Sequence, residues 1–421
     1  MNDIRTTTTS HTTGRGRSRR LLAAIVALGL AASALAGCKA GAAGGEGDAH
    51  VSLVLPLSGP FARQGNLVRL GAQMAADEIN DAGGIKSLDG AEIVLDEQDA
   101  GGTVETAVSA ANRALAEDPP VAGIGAWASS LTLGVTEVAE RRHVPWLTVA
   151  FSDEITERGF KYVYQTSPVS SVAAGAGIAD FVRLADGAGH PIKSVALVGD
   201  NTPSSQGFLD AVKSKVAPAL GLDVVTTQQW TPPLTDGSGI ANALADADPD
   251  AIVYSVSTFS DSSVALRAFR QFGVDAPIIG SGAALVLPEN LKNLGADRLE
   301  GLMTIVGAHP GKGTDDLVRR FTEATGEPFM TQDALSGYYH VWLVKEALEA
   351  AGSTDPDKVN DALENIDLDD GPAATMSGGR VRFDETGRRI DAVPVLVQWQ
   401  HGKPVTVWPE DSAVAKPELA G

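Results

Sequence analysis

Residues 51–85 read VSLVLPLSGPFARQGNLVRLGAQMAADEINDAGGI. Val51, Ser52, Leu53, Val54 and Leu55 form a short, mostly apolar run, which predicts a buried strand. Pro56-Leu57-Ser58-Gly59-Pro60 can extend neither a strand nor a helix. Beyond it, Leu67, Leu70, Gly71, Met74, Ala75, Glu78 and Ile79 recur at helical spacing, with small and apolar residues on one face. Gly83-Gly84 ends that helix. Strand, loop and helix in this order open a parallel α/β sheet. The loop then lies at the carboxyl end of its strand, where ligands bind in such folds. Ser58 in this loop and Phe61 just after it are candidate ligand-contacting residues.

Outward from this unit the alternation continues. Strands are expected at 92–96, 121–125, 146–149 and 162–165, with helices at 103–117 and 129–142. A second series follows, with helices at 172–184, 207–216, 239–247 and 263–271 and strands at 194–198, 223–227, 250–254, 277–280 and 303–306. Three helices come next, at 315–324, 333–351 and 357–365; Asp355-Pro356 supplies a cap and a first helical residue. Residues 381–383, 393–400 and 405–408 then read as antiparallel strands, with His401-Gly402 in a hairpin. The expected fold class is α/β, with two doubly wound parallel-sheet lobes and a small-molecule cleft between them.

The amino-terminal 37 residues have a different character. Arg15, Arg17, Arg19 and Arg20 precede residues 21–35, which are almost wholly Ala, Leu, Ile and Val. That run is short for a membrane span, which needs about 20 residues, and reads as a signal peptide. Leu35-Ala36-Gly37-Cys38 resembles a bacterial lipobox, so Cys38 is the expected lipid attachment site and membrane anchor. Ser18-Arg19-Arg20-Leu21-Leu22 also admits twin-arginine export. Cys38 is the single cysteine, which excludes an intrachain disulfide. Residues 38–50 read as a flexible tether, 413–421 as a C-terminal tail, and the residues after Pro409 as frayed. The net charge of −20 argues against a nucleic-acid partner. The expected location is extracytoplasmic, and the expected state is a monomer.

Enzyme and cofactor motifs fail on spacing. Gly123-Ile124-Gly125 lacks the third glycine of a dinucleotide fingerprint, and Trp127 would obstruct a pyrophosphate. Gly311-Lys312-Gly313-Thr314 has the wrong glycine spacing for a phosphate loop. The seven His are scattered, with no metal-binding helix motif, and residues 367–371 lack the ligand spacing of a calcium loop. His340, between Tyr339 and Val341, reads as a packed residue. No metal, cofactor or catalytic residue is expected. The positive signal is polar and uncharged. Trp127-Ala128-Ser129-Ser130 follows the third predicted strand, and Ala150-Phe151-Ser152 follows the fourth. Helix-start N–H groups and hydroxyls there suit an anion such as a carboxylate. Serines at helix starts are equally caps; two such loops on neighbouring strands, each with an aromatic, favour a ligand site.

LSGP, EIN and GGI in residues 51–85, Ala128-Ser129-Ser130, and ITERGF at 155–160 occur together in an order and spacing that resemble the branched-chain amino-acid type of periplasmic solute-binding protein, which serves ABC importers. The resemblance spans nearly all of the mature chain. It implies two lobes joined by three hinge crossovers, the type I periplasmic-binding-protein arrangement. One lobe would be 51–166 plus 306–376 and the other 167–305 plus 377–412, with hinge strands near Gln165, Ile305 and Val381. It implies a small-molecule ligand, an ABC transporter permease as partner, and closure of the lobes on the ligand. It assigns carboxylate contacts to Ser129, Ala150 and Ser152, and places Gly282 where amino-acid binders carry an acid for the ammonium group. Gln64, Ser204 and Ser257 fall where those binders often have Tyr, whereas Trp127 and Phe151 are additions. The carboxylate half of the site is therefore kept and the ammonium half lost, unless Asp200, Asp261 or another acid substitutes, and the expected ligand is a small carboxylate or amide, amino-acid-like or aromatic, that need not carry an α-amine. A ligand sensor for a signalling partner on the same fold, or an extracellular enzyme, are the alternatives.

Overall fold

The computed structural model describes residues 47–116 and 119–419; residues 1–37, Cys38 and most of the tether lie outside them. The first sheet contains β1 (Ala49–Leu55), β2 (Ile93–Asp99), β3 (Ala122–Gly125), β4 (Trp146–Thr148) and β5 (Val163–Gln165). All are parallel, in the order β2-β1-β3-β4-β5. The second sheet contains β6 (Ser194–Asp200), β7 (Asp223–Trp230), β8 (Ala251–Ser255), β9 (Ile278–Ser281), β10 (Met303–Val306), β11 (Val395–Gln400) and β12 (Lys403–Trp408). Its order is β12-β11-β10-β9-β8-β6-β7. Read from the β7 edge, its five parallel strands repeat the order of the first sheet, and the β11–β12 hairpin is added antiparallel at the far edge. Both sheets thus reverse direction beside their first strand, at β1/β3 and at β6/β8. Crevices at such reversals are where open α/β sheets take ligands.

The helices of the first lobe's amino-terminal part are α1 (Ala62–Asp81), α2 (Val104–Ala114), α3 (Ser129–Arg142) and the short α4 (Glu154–Glu157). Those around the second sheet are α5 (Ser170–Gly187), α6 (Pro203–Ala211), α7 (Ala217–Leu220), α8 (Ser238–Ala247), α9 (Phe259–Gln271), α10 (Pro288–Leu294) and α11 (Ala296–Leu299). The chain then adds α12 (Asp315–Thr325), α13 (Gln332–Ala351), α14 (Pro356–Glu364) and α15 (Gly371–Ala374).

Side chains alternate across each sheet as a pleated strand requires. Along β6, Val195 and Leu197 join a core with Phe181 and Phe208, while Ala196 and Val198 join another with Tyr254, Phe269 and Trp399. Both faces are covered, so the strand reads as a continuous apolar run. In the first lobe, Val51, Leu53 and Leu55 pack with Leu67 and Ile79 of α1 and with Leu343 and Leu348 of α13. Helices α1 and α13 cross at backbone contact. A Cβ on Gly71 would lie 1.8 Å from Ala334 O, and one on Gly337 2.0 Å from Val68 O. Small residues on α1 therefore admit a helix that arrives from the distant end of the chain.

Two of the passages between the sheets are tied together at Arg389. Arg389, 5% exposed, donates from Nε to Thr166 O at 2.8 Å and from a terminal nitrogen to Ser377 O at 2.7 Å. Arg389 N donates to Gln165 O, and Gln165 N to Gly387 O. Burial pushes the guanidinium pKa down to about 10, so it stays charged at neutral pH.

Several sequence expectations change. The carboxy-terminal residues expected to fray instead pair with β11: Glu418 N donates to Gln398 Oε1 at 2.8 Å, and Gln400 Nε2 donates to Lys416 O at 2.7 Å. Residues 381–383 form no strand; Val381 bridges Leu368 and Phe383 bridges Arg389 as isolated pairs. β11 starts at Val395 rather than 393, since Pro394 has no N–H for a ladder. The stretch before β10 holds a 3₁₀ turn, Ala283–Val286, and the helices α10 and α11. These are too short and too broken by Pro and Gly for a periodic signal.

Candidate functional site

A cleft of about 60 Å³ lies between the carboxyl ends of the two sheets. The first lobe contributes Phe61 before α1, Trp127 to Ser130 at the start of α3, Val149 and Phe151 after β4, and Gln332 at the start of α13. The second contributes Ser170 of α5, Thr202 to Ser205 at the start of α6, Ser255 to Ser257 at the end of β8, and Ser281 to Ala283 at the end of β9. Eight serines and one threonine are in this set, with Phe61, Trp127 and Phe151 as flat apolar surface; among the described lining residues none is charged.

Two helix starts face each other here. Helix α3 begins at Ser129, and the N–H groups of Leu131 and Thr132 already return to Ala128 O. Helix α6 begins with Pro203 at its first position, where a missing N–H costs nothing. The first N–H groups of each helix precede its internal hydrogen bonds and point out of its end, with the positive end of the helix dipole behind them.

Nine of the residues expected from sequence line the cleft: Phe61, Trp127, Ala128, Ser129, Ser130, Phe151, Ser204, Ser257 and Gly282. Four lie off it. Ser58 is exposed, its N–H donating to Asp99 Oδ1 at 3.2 Å. Gln64, in the first turn of α1, is 1% exposed and buried. The Ala150 N–H, expected to meet a ligand, instead donates to Thr148 Oγ1 at 3.1 Å. The Ser152 N–H donates to Ser129 Oγ at 3.2 Å. These two therefore act one layer behind the surface, with Ser152 orienting the Ser129 hydroxyl.

The two acids considered as substitutes for the ammonium partner are engaged elsewhere. Asp200, fully buried, accepts from Thr202 N at 3.0 Å and Thr202 Oγ1 at 2.5 Å through Oδ1, and from Ser257 N at 2.6 Å through Oδ2. It ties the β6 loop to the β8 loop across the strand-order reversal. Asp261 accepts from Trp230 Nε1 at 2.8 Å and Ser260 Oγ at 3.2 Å. Gly282 has φ +113 and ψ 154, a conformation open essentially to glycine alone, and a Cβ there would lie 3.0 Å from Val256 O.

Thr202, Ser205, Ser255 and Ser281 were legible in principle, since they follow strands of the second series as Ser129 follows β3. Gln332 was not. It reaches the cleft only because α13 folds back over the first lobe, where its Oε1 accepts from Gly307 N at 3.0 Å.

Residues 49–403 match the model of the periplasmic binding protein family. The chain belongs to that family. This binding protein is 28% identical over 379 residues to Leu/Ile/Val-binding protein homolog 8 of Brucella melitensis, covering 88% of this chain and 92% of that one. It superposes on a leucine binding protein from Thermotoga maritima with a TM-score of 0.73 at 24% identity, covering 86% and 99% of the two chains. A solute binding protein of an ABC transporter from R. palustris, in complex with benzoate, gives a TM-score of 0.73 at 17% identity, covering 88% and 98%. The two-lobed α/β architecture is that of type I binding proteins, and this chain is a solute-binding protein of the extracytoplasmic class.

Proposed function

We propose that this binding protein captures a small carboxylate that carries no α-ammonium group, and presents it to the permease of an ABC importer. The observation that carries this reading is the chemistry of the cleft: a ring of hydroxyls and two facing helix starts, with no charged side chain among the described lining residues. Such a site can offset one negative charge with neutral donors. An ammonium group buried there would have no counter-charge, and a buried unpaired charge costs several kcal/mol. Phe61, Trp127 and Phe151 favour a ligand with a flat apolar body. Benzoate in the R. palustris protein and the Leu/Ile/Val name of the Brucella relative mark the two chemistries between which the cleft must choose. Anchoring through lipid on Cys38 would keep the receptor beside its permease.

Calorimetric titration separates these chemistries. Benzoate and 4-methylpentanoate should bind more tightly than leucine, from which the latter differs by the absent amine. Tighter, amine-dependent binding of leucine overturns the proposal.

A further inference from the structure

Trp127 sits in the loop that leads into α3, and its indole finds its polar partner in a distant part of the chain. Its indole Nε1 donates to Asp333 Oδ1 at 2.8 Å, across 206 residues of sequence. One edge of the ring packs on Phe61, with centroids 5.7 Å apart. The Trp127 backbone is left-handed, φ +68, a conformation uncommon for a bulky residue that costs of order 1–3 kcal/mol. Asp333 is fully buried in the first turn of α13, and its Oδ2 has no hydrogen-bond partner among the described residues. A buried, half-satisfied carboxyl is expensive to keep, and burial pushes its pKa up to about 7 against the lowering influence of Trp127, Gln332 and the charge on Arg63. Arg63, itself paired with Glu289 and Glu327, is the charged group on α1 that bears on it.

We infer that Asp333, which is not itself part of the cleft lining, is a positioning residue that fixes the Trp127 indole as a wall of the ligand cleft and so determines which ligand shapes are accepted. Without the acceptor, nothing polar selects this orientation of the ring over others. The neighbouring Gln332 ties the same helical turn to the crossover at Gly307. The wall is thereby referenced to the hinge and not to the loop on which Trp127 sits. The inference deepens the ligand reading above and rests on it for the choice of probe, but its first test needs no ligand.

The test uses protein labelled with 5-fluorotryptophan, the Trp127 resonance being identified by its loss in Trp127→Phe. Asp333→Leu removes the acceptor; Asp333→Asn keeps it. The Trp127 line should shift and broaden in Asp333→Leu and stay near its original position in Asp333→Asn. Benzoate affinity, read by calorimetry, should fall about tenfold in Asp333→Leu, the size expected for one lost buried hydrogen bond, and be largely retained in Asp333→Asn. On a Trp127→Phe background, Asp333→Leu should cause no further loss. An unchanged Trp127 line in Asp333→Leu, or an equal loss on both backgrounds, overturns the inference. Should Asp333→Leu not fold, the same decision falls to Asp333→Asn and Asp333→Ser: matching Trp127 lines in these two overturn it, and a displaced line in the serine variant alone supports it. Failure of benzoate to bind the unmodified protein overturns the carboxylate reading and leaves the resonance result standing.

Discussion

Arg63 Nε donates to Glu289 Oε1 at 2.6 Å, joining the first turn of α1 to the first turn of α10. The same guanidinium holds Glu327 with both terminal nitrogens, at 2.8 and 2.6 Å. The Glu327 contact lies on a segment next to α12. The Glu289 contact spans the lobes, because α10 packs through Leu294 on the second sheet. All three side chains are partly buried.

An interlobe ion pair stabilises only the closed form, so removing it shifts the opening equilibrium. Glu289→Gln should weaken ligand binding about two- to fivefold, in keeping with about 0.5–1 kcal/mol for a partly solvated pair. The loss should shrink as salt is added. Small-angle scattering should show a larger radius of gyration for the unliganded variant. Equal radii and equal affinities would mean that the pair is incidental to closure.

Asp333 gives stability an unusual pH dependence. Its pKa lies near 7 when folded and near 3.9 when unfolded. The native state therefore binds the proton more tightly, and the stability it contributes is complete below about pH 4 and lost as pH rises through 7. Asp333→Asn abolishes this term. By urea denaturation the variant should gain on the parent between pH 4 and 7, by up to about 4 kcal/mol at pH 8. A difference that does not vary with pH would show that the carboxyl is ionised throughout.

His340 acts in the opposite direction. It is 1% exposed, with Nε2 2.7 Å from Thr166 Oγ1, and burial pushes its pKa down to about 3, with Arg389 adding to the effect. The folded value is below the unfolded one of about 6.5. Its contribution is thus present above pH 6.5 and lost as pH falls toward 3. His340→Gln should flatten the acid limb of the stability profile below pH 6.5, with little change in the slope between pH 7 and 8. Retention of the full acid limb in the variant would assign acid sensitivity to other groups.

The parts of this molecule that were legible in its sequence are the local ones. Helix α3 could be bounded at Ser129 and Arg142 because the serines that begin it and the helical run that follows lie in one short stretch of chain. The strands of both sheets announce themselves as apolar runs because each is covered on both sides. The Trp127–Asp333 bond, the Arg63–Glu289 pair and the approach of Gln332 to the cleft were not legible. Each joins residues brought together only when α13 or α10 docks, and no periodicity records such a contact. Ala150 misled for a related reason. A loop after a strand offers N–H groups to a ligand, but Thr148, two residues earlier, takes that donor first.

Ser129 is the point where the carboxylate reading is most exposed to test. Its hydroxyl accepts from Ser152 N and lies at the start of α3, on the cleft wall. Ser129→Ala should weaken benzoate roughly 10- to 150-fold, the range for a lost hydrogen bond to a charged group. The uncharged analogue benzamide should lose less. Equal losses for both would indicate that the hydroxyl shapes the wall without meeting the charge.

Under the proposed carboxylate reading, Gly282 decides whether the position expected to hold an acid for an ammonium group can take one at all. An acid grafted there would be the direct route back to amino-acid binding, but the backbone forbids it. At φ +113 and ψ 154 any side chain is strained by roughly 1–3 kcal/mol, and its Cβ would press on Val256 O at 3.0 Å. Relieving the strain requires moving the turn between β9 and the 3₁₀ segment, which carries Ser281 and Ala283 of the cleft wall. Gly282→Asp should therefore lower the melting temperature and weaken benzoate, without conferring leucine binding. Gly282→Ala should show the same loss of stability, which separates backbone strain from charge. Leucine binding in Gly282→Asp at parental stability would show that this turn accepts an acid after all, and that the cleft lost its ammonium site by a single substitution.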